Sequence, residues 1–132
     1  MEARGYDVVD VSNNPDYWYK DIDFIITSPA SGITKTFEVK WDARINSTGN
    51  LYLERTSTFT KEEGIKGLGW FEWCEADFLV YGDAVSQQFY VIPMKELRKA
   101  ADTLPYRSAS CGLDSTGQLV ALKDIEDIVF LL

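Results

Sequence analysis

Three residues of this sequence carry side chains that could act together on a phosphate ester: Asp23, Glu38 and Lys40. Two carboxylates suit a hard divalent cation such as Mg²⁺, which prefers oxygen ligands and keeps several waters. A lysine beside them adds a positive charge for a phosphate or for an attacking water. This set of side chains matches metal-assisted hydrolysis of a phosphodiester bond.

Two predicted β-strands would bring these side chains together. Residues 23–26 and 34–41 have the composition of strands, and residues 28–32 form the turn of a hairpin between them. Alternate side chains of a strand share a face, so Glu38 and Lys40 point the same way. The intervening side chains point the other way, into expected apolar packing: Phe37, Val39 and Trp41. The two acids and the amine can therefore converge at one end of the hairpin.

The spacing of Asp23 and the triplet Glu38-Val39-Lys40, 15 positions apart, resembles the D…(D/E)-x-K motif of the PD-(D/E)xK nuclease superfamily. Residues 4–11 are similar to the end of the first core helix, a glycine and the first core strand of archaeal-type Holliday junction resolvases and related phage nucleases. Ile22 stands where the superfamily name has a proline. The resemblance implies one domain over residues 1–132, with an α/β fold: a mixed central β-sheet flanked by helices, the restriction-endonuclease-like core.

The resemblance also implies a role for each residue of the motif. Asp23 and Glu38, with the main-chain carbonyl of Val39, would hold one or two Mg²⁺ or Mn²⁺ ions, and Asp23, Glu38 and Lys40 would be catalytic. Lys40 would orient the attacking water, act as a base, or stabilise the developing negative charge, and the sequence leaves these roles open. The expected products are a 5′-phosphate and a 3′-hydroxyl.

Three further acids are candidates for the same site. The family commonly carries an additional acid on its first helix, which would correspond to Glu2, although a frayed terminus is an equal alternative. Asp21 lies on the same strand face as Asp23, and we expect it to solvate the start of the strand. Glu54 either lies near the metal or pairs with a cation at the surface.

The sequence contains no histidine. This excludes Ser-His-Asp and Cys-His nucleophilic sites, zinc sites with histidine ligands, and nucleases with a histidine base. The formal net charge of −8 argues against a strongly basic nucleic-acid binder, although acids at a metal site account for part of it. Cys74 and Cys111 do not make a disulfide framework, which indicates a reducing, intracellular compartment.

Nucleic acid could still meet a local basic rim, or these cations are scattered and solvated: Lys20, Lys35, Arg44, Arg55, Lys61 and Lys66. The aromatic triplet of residues 17–19 either packs in the protein or stacks on a base, and packing is the favoured interpretation.

The rest of the chain is predicted to alternate strands with short helices. The remaining predicted strands are residues 6–11, 51–54, 76–81, 89–92 and 119–122, of which the third and fourth form a hairpin. The predicted helices end at Gly5, cover residues 70–74, and run from Pro93 to Pro105. Thr60 opens a capping-box pattern, but the glycines that follow weaken a long helix, and a flexible turn is predicted before residue 70. Residues 42–50 and 106–116 are predicted loops, and residues 124–132 are short, apolar and ambiguous.

The leading interpretation is a metal-dependent DNA endonuclease, either a junction resolvase or a phage or mobile-element nuclease. Junction cleavage requires a symmetric homodimer, and residues 128–132 would supply either its interface or part of the core. No run approaches a membrane span and no signal peptide is visible, so we expect the cytoplasm of a bacterium or of a phage-infected host. Two other functions remain open: a non-catalytic interaction or regulatory domain with the nuclease fold, and an acidic mimic of nucleic acid.

Overall fold

The computed structural model describes residues 5–18, 20–57, 67–111 and 115–132, without the side chains of Trp18 and Cys111. The strands are β1 (Asp7–Asp10), β2 (Phe24–Thr27), β3 (Thr34–Asp42), β4 (Asn50–Ser57), β5 (Gly67–Leu68), β6 (Phe78–Asp83), β7 (Phe89–Pro93), β8 (Ser108–Cys111), β9 (Ser115–Ala121) and β10 (Phe130–Leu131). The helices are α1 (Pro15–Trp18), α2 (Ile45–Thr48), α3 (Trp70–Trp73) and α4 (Met94–Thr103), with 3₁₀ turns at Leu122–Asp124 and Glu126–Ile128.

The central sheet has six strands in the order β1-β2-β3-β6-β7-β10. Its neighbouring strands are antiparallel except for β3 and β6, which are parallel, with Glu38 beside Leu79 and Lys40 beside Tyr81. The hairpin between β2 and β3 is closed by the N–H of Gly32, which donates to the Ser28 carbonyl at 2.7 Å, and Gly32 has a φ of 71°. The mixed central sheet confirms the predicted α/β fold class.

A second layer covers one face of the central sheet. It consists of the antiparallel sheet β5-β4-β9-β8 together with α3 and α4. One cluster of buried residues draws on both layers, with Leu79 and Ile92 from the central sheet and Leu51, Leu53 and Val120 from the second sheet. The helix α4 adds residues at helical spacing: Met94, Leu97 and Ala101.

Most predicted elements are present within one or two residues of their expected bounds. The hairpin of β6 and β7, the short helix α3 and the longer helix α4 are confirmed. The predicted loops were wrong in part. Residues 42–50 contain α2, and residues 106–116 contain β8 and the start of β9, whose small polar side chains carry little strand signal. The helix before Gly5 and the capping box at Thr60 lie outside the described residues.

The two faces of β3 are buried in the opposite sense to the prediction. The face of Glu38 and Lys40 is the one that the second layer covers, and Glu38 is only 4% exposed. Phe37 and Val39 are half-buried in an apolar groove on the other face, while Trp41 is 57% exposed and rests edge-on against Phe89 at a ring-centroid distance of 4.9 Å. The packing of β4 and α3 against one face, which strand alternation alone does not specify, decides this.

In the described part of the chain, the longest helix is α4 with ten residues, and none of its helices has the length and apolar character needed to cross a membrane.

Candidate active site

Asp23 comes directly before β2, at the end of the β2–β3 ladder. The last paired residues are Phe24 and Phe37, and the Asp23 N–H donates to the Phe37 carbonyl at 2.8 Å. On its other side, the Asp23 carbonyl accepts from the N–H of Val11 at 2.8 Å. These two backbone hydrogen bonds hold Asp23 between β1 and β3, where its negative charge acts on Glu38.

The main chain of Val39 faces the same edge. Its N–H donates to Oδ2 of Asp23 at 2.9 Å, in the place where β2 has ended and no strand partner continues. Because the N–H and C=O of one strand residue point to the same side, the Val39 carbonyl also faces the Asp23 edge. The Asp23 carboxylate and the main chain of Val39 are therefore in direct contact.

Lys40 completes this group from the same strand. Its Nζ lies 3.2 Å from Oε1 of Glu38 and 3.3 Å from Oδ2 of Asp21, and its side chain is 27% exposed. The ring of Trp70 covers the ammonium, with Nζ 5.1 Å from the ring centroid. Lys40 is therefore held between carboxylates and an aromatic face at the mouth of the site.

Asp21 corrects one prediction. We expected it to solvate the start of the strand, but it is 4% exposed and paired with Lys40. Its φ of 55° puts the residue in the left-handed region, which turns the chain before Ile22 and directs the carboxylate inward. Sequence alternation could not find this role because the residue precedes the regular strand.

The carboxylates of this cluster oppose one another electrostatically. Burial raises the pKa of Glu38 to about 9; the positive charge of Lys40 opposes this rise, and the negative charges of Asp21 and Asp23 add to it. For Lys40, burial acts to lower the pKa, but Asp21 and Glu38 outweigh it and the pKa is raised. The amine is therefore a protonated hydrogen-bond donor, and Glu38 holds a proton at neutral pH when no cation is near.

The donor set fits Mg²⁺ or Mn²⁺ in its chemistry. Among the residues that the structure describes, no three Asp, Glu or Cys side chains are arranged as a ready-made metal cage. Asp23 and Glu38 with the Val39 carbonyl are instead two side chains and one main-chain oxygen, all hard ligands, and waters would complete the shell. The surplus of negative charge around buried Glu38 is the feature that a cation would relieve.

A cleft of about 310 Å³ opens beside Lys40. It runs along the end of β3 to Arg44, and its wall is formed by Tyr52, Trp70 and Tyr81. The buried Tyr81 hydroxyl donates to Oδ2 of Asp42 at 2.6 Å, which fixes the floor. Sequence reasoning did not assign Trp70 to the site, because only the folded chain brings α3 over Lys40.

Glu54 serves α3. Its Oε1 accepts from the N–H of Trp70 at 3.1 Å, at the first turn of the helix. Gly69 lies so close to Glu54 that a Cβ there would stand 2.4 Å from the Glu54 carbonyl carbon. Glu54 was predicted either to lie near the metal or to pair with a cation at the surface, and the structure shows neither. Its carboxylate instead accepts a hydrogen bond from the first turn of α3.

The other candidate residues separate into groups. Arg55 does not belong to a basic rim, since it contacts Glu72 and Gln118 and lies over the Phe71 ring. The exposed cations of the proposed rim are Lys20, Lys35 and Arg44. Tyr17 packs against the core, as favoured. Several candidates lie outside the described residues: Glu2, Lys61, Lys66 and the side chains at positions 18 and 19.

No protein-family model matches the chain, and no curated protein matches it. Among solved structures, the chain is similar to a bacterial homing endonuclease, I-Ssp6803I. The two are 20% identical, the alignment covers 90% of this chain and 67% of the other, and the TM-score is 0.49. The function of this chain is therefore inferred from its own side chains.

Proposed function

We propose that the protein is a DNA endonuclease of the PD-(D/E)xK type that hydrolyses phosphodiester bonds with Mg²⁺ or Mn²⁺. The observation that carries the proposal is the contact of the Lys40 Nζ with Oε1 of Glu38 at 3.2 Å, beside an Asp23 carboxylate whose negative charge acts on Glu38. Acid, acid and amine come from two adjacent strands and meet at the end of the ladder. That arrangement is the one the motif requires.

The metal ligands would be Asp23, Glu38 and the Val39 carbonyl. When bound, the cation would supply a Lewis acid for a phosphoryl oxygen and would acidify a water molecule. Asp23 is already oriented for this role because Val39 N–H holds one of its two oxygens. Glu38 must release its proton to become a ligand, so metal binding and proton loss are linked.

Lys40 acts as a charged donor. In the reaction, the water oxygen forms a bond to phosphorus, the bond from phosphorus to the 3′ oxygen breaks, and one water proton passes to that oxygen. A protonated Lys40 would hydrogen-bond the attacking water or a phosphate oxygen and offset the negative charge that develops there. Its raised pKa disfavours the role of general base, which the sequence had left open.

A junction resolvase would need a second copy of the chain. Ile128 and Val129 pack against the core, whereas Phe130, Leu131 and Leu132 are 59%, 64% and 71% exposed. These three exposed residues, two of which form the edge strand β10, are the segment that we propose as the dimer contact. Light scattering of the parent and of Leu131→Asp measures the effect on oligomeric state, and a monomer in both would contradict the contact.

A second candidate function is a non-catalytic interaction domain. The observation that favours it is that Lys40 is already paired with two acids and that the chain carries a net charge of −8. Calorimetric titration with Mn²⁺ separates the two, because an interaction domain has no reason to bind metal at Glu38.

The deciding experiment is incubation of plasmid, single-stranded and four-way-junction DNA with the protein in Mn²⁺ and in EDTA. We expect cleavage in Mn²⁺ alone, and its loss in Glu38→Gln and Lys40→Ala. Matched controls are Glu96→Gln and Lys99→Ala, since both residues are exposed on α4. Equal cleavage by Glu38→Gln and by the parent would overturn the assignment.

A further inference from the structure

A second concave surface lies beside the far end of α2. It encloses about 540 Å³, and its polar lining includes Thr48, Asn50, Arg107 and Lys123. Arg107 and Lys123 are both exposed, and none of the described residues that line this surface is acidic. It is called the Arg107–Lys123 pocket below.

The pocket is built on rigid backbone. Asn50 pairs with Ala121 at the end of the β4–β9 ladder, and the Leu122 N–H donates to the Gly49 carbonyl at 2.9 Å. Arg107 contacts Oδ1 of Asn50 through Nη1 at 3.5 Å, which engages one of the five N–H donors of its guanidinium. The remaining donors are available to a planar or tetrahedral anion.

The charge of the pocket differs from that of the chain. In a protein of net charge −8, both ionisable side chains here are basic. A neighbouring pocket shows the opposite balance, with one base, Lys99, among the acids Glu96, Asp124 and Asp127. The separation of sign between two adjacent surfaces favours an anionic ligand at the first.

The pocket is close to the catalytic cleft. Arg44, which lines the cleft with Lys40, precedes α2, and Gly49 ends the helix. The five residue steps from Arg44 to Gly49 span about 7.5 Å at 1.5 Å per residue. This length corresponds to about two phosphates of one DNA strand, which are spaced about 3.4 Å apart along the axis. A strand lying along α2 would therefore meet both surfaces within a few nucleotides.

We propose that the Arg107–Lys123 pocket binds the phosphate backbone of the DNA strand beyond the scissile bond, with Arg44 at the cleft end of α2. This inference rests on the proposed endonuclease function. Arg107 would hold a phosphate through paired N–H donors and Lys123 through its charge. Contacts of this kind position the strand and carry no sequence information.

The test is the affinity for a DNA duplex in Ca²⁺, measured over a range of salt concentrations for Arg107→Glu and Lys123→Glu. The matched control is Lys99→Glu, which makes the same charge change on α4. Each pocket variant should weaken binding for all DNA sequences and reduce the slope of log K against log salt by about 1, while Lys99→Glu leaves both close to the parent values. Thermal unfolding checks each fold, and Arg107→Gln and Lys123→Gln replace any reversal that fails to fold.

The outcomes separate this proposal from the function on which it rests. Parent-like affinity in the pocket variants, or an equal loss in Lys99→Glu, overturns the pocket even when the parent cleaves DNA. A loss of DNA affinity confined to the pocket variants supports the pocket. If the parent then binds DNA but never cleaves it, only the proposed endonuclease function is overturned. Binding of polyglutamate in preference to DNA would assign the pocket to an acidic protein surface and overturn the proposal.

Discussion

The carboxylate of Asp21 and the ammonium of Lys40 form a buried ion pair, with Oδ2 and Nζ 3.3 Å apart. Asp21 precedes the first catalytic strand and Lys40 lies on the second, so the pair fixes the amine across the end of the hairpin. Asp21 does not belong to the three-residue motif. We infer that it positions Lys40 for the reaction.

Asp21→Asn should therefore impair catalysis and leave the fold intact. Asn keeps the size of the side chain and tolerates the φ of 55°, but it removes the charge that holds the amine. We expect about a 10²-fold loss of kcat with a small change in KM, as for other displacements near 1 Å. Asp102→Asn on the exposed side of α4 is the control, and parent-like kcat in Asp21→Asn would remove the positioning role.

Metal binding should release a proton from Glu38. Because its pKa of about 9 lies above neutral pH, the side chain is protonated before the cation binds and must ionise to coordinate it. Calorimetric titration with Mn²⁺ at pH 7.5, in two buffers of different ionisation enthalpy, should give about one proton released per bound metal. Glu38→Gln should bind weakly with no such release; equal release in both proteins would assign the proton to another group.

The stability of the metal-free protein should also depend on this side chain. Between the ordinary pKa of 4.5 and the raised value of about 9, the folded state binds a proton that the unfolded state has lost. The free energy of unfolding must then fall as pH rises through that window, and it is unaffected by this group below the lower value. In EDTA, the Tm of Glu38→Gln should rise relative to the parent from pH 5 to pH 9. A constant difference across that range would show that Glu38 ionises normally.

Trp70 should stabilise Lys40 and α3 together. Trp70→Ala removes the ring that lies 5.1 Å from the ammonium and should cost about 1–3 kcal/mol, since the ring is half-buried. Trp70→Phe keeps an aromatic face and should recover part of the loss. Chemical denaturation measures both variants. Equal stability of Trp70→Ala and Trp70→Phe would show that an aromatic ring at position 70 makes no contribution of its own.

Any side chain at position 69 should destabilise the protein for steric reasons. An added Cβ would stand 2.4 Å from the backbone of Glu54, so Gly69→Ala must push α3 away and should cost about 1–3 kcal/mol. Gly32 offers the contrast, because it has open space and only a φ of 71°. Gly32→Asn should be close to neutral, whereas Gly69→Asn should be at least as harmful as Gly69→Ala. Denaturation midpoints compare the three variants.

The local sequence was sufficient for the β2–β3 hairpin. Strand alternation set Glu38 and Lys40 on one face, and the turn around Gly32 fixed the register from Thr27 and Thr34 to Phe24 and Phe37. Period and turn chemistry are properties of neighbouring residues, so these features follow from the chain alone. The helical spacing from Met94 to Ala101 predicted α4 for the same reason.

Long-range packing decided the rest. Whether the Glu38 face or the Trp41 face of β3 is covered depends on where β4 and α3 lie. Strand alternation alone does not distinguish the two faces. The inward turn of Asp21, the use of Glu54 to hold α3 and the position of Trp70 over Lys40 all join residues far apart in the chain. The sequence by itself determined that Glu38 and Lys40 share one strand face, because alternation is a local property. The tertiary structure brought Asp21 to them and buried Glu38, because both depend on contacts between distant parts of the chain, and burial is the largest cause of the raised pKa of Glu38.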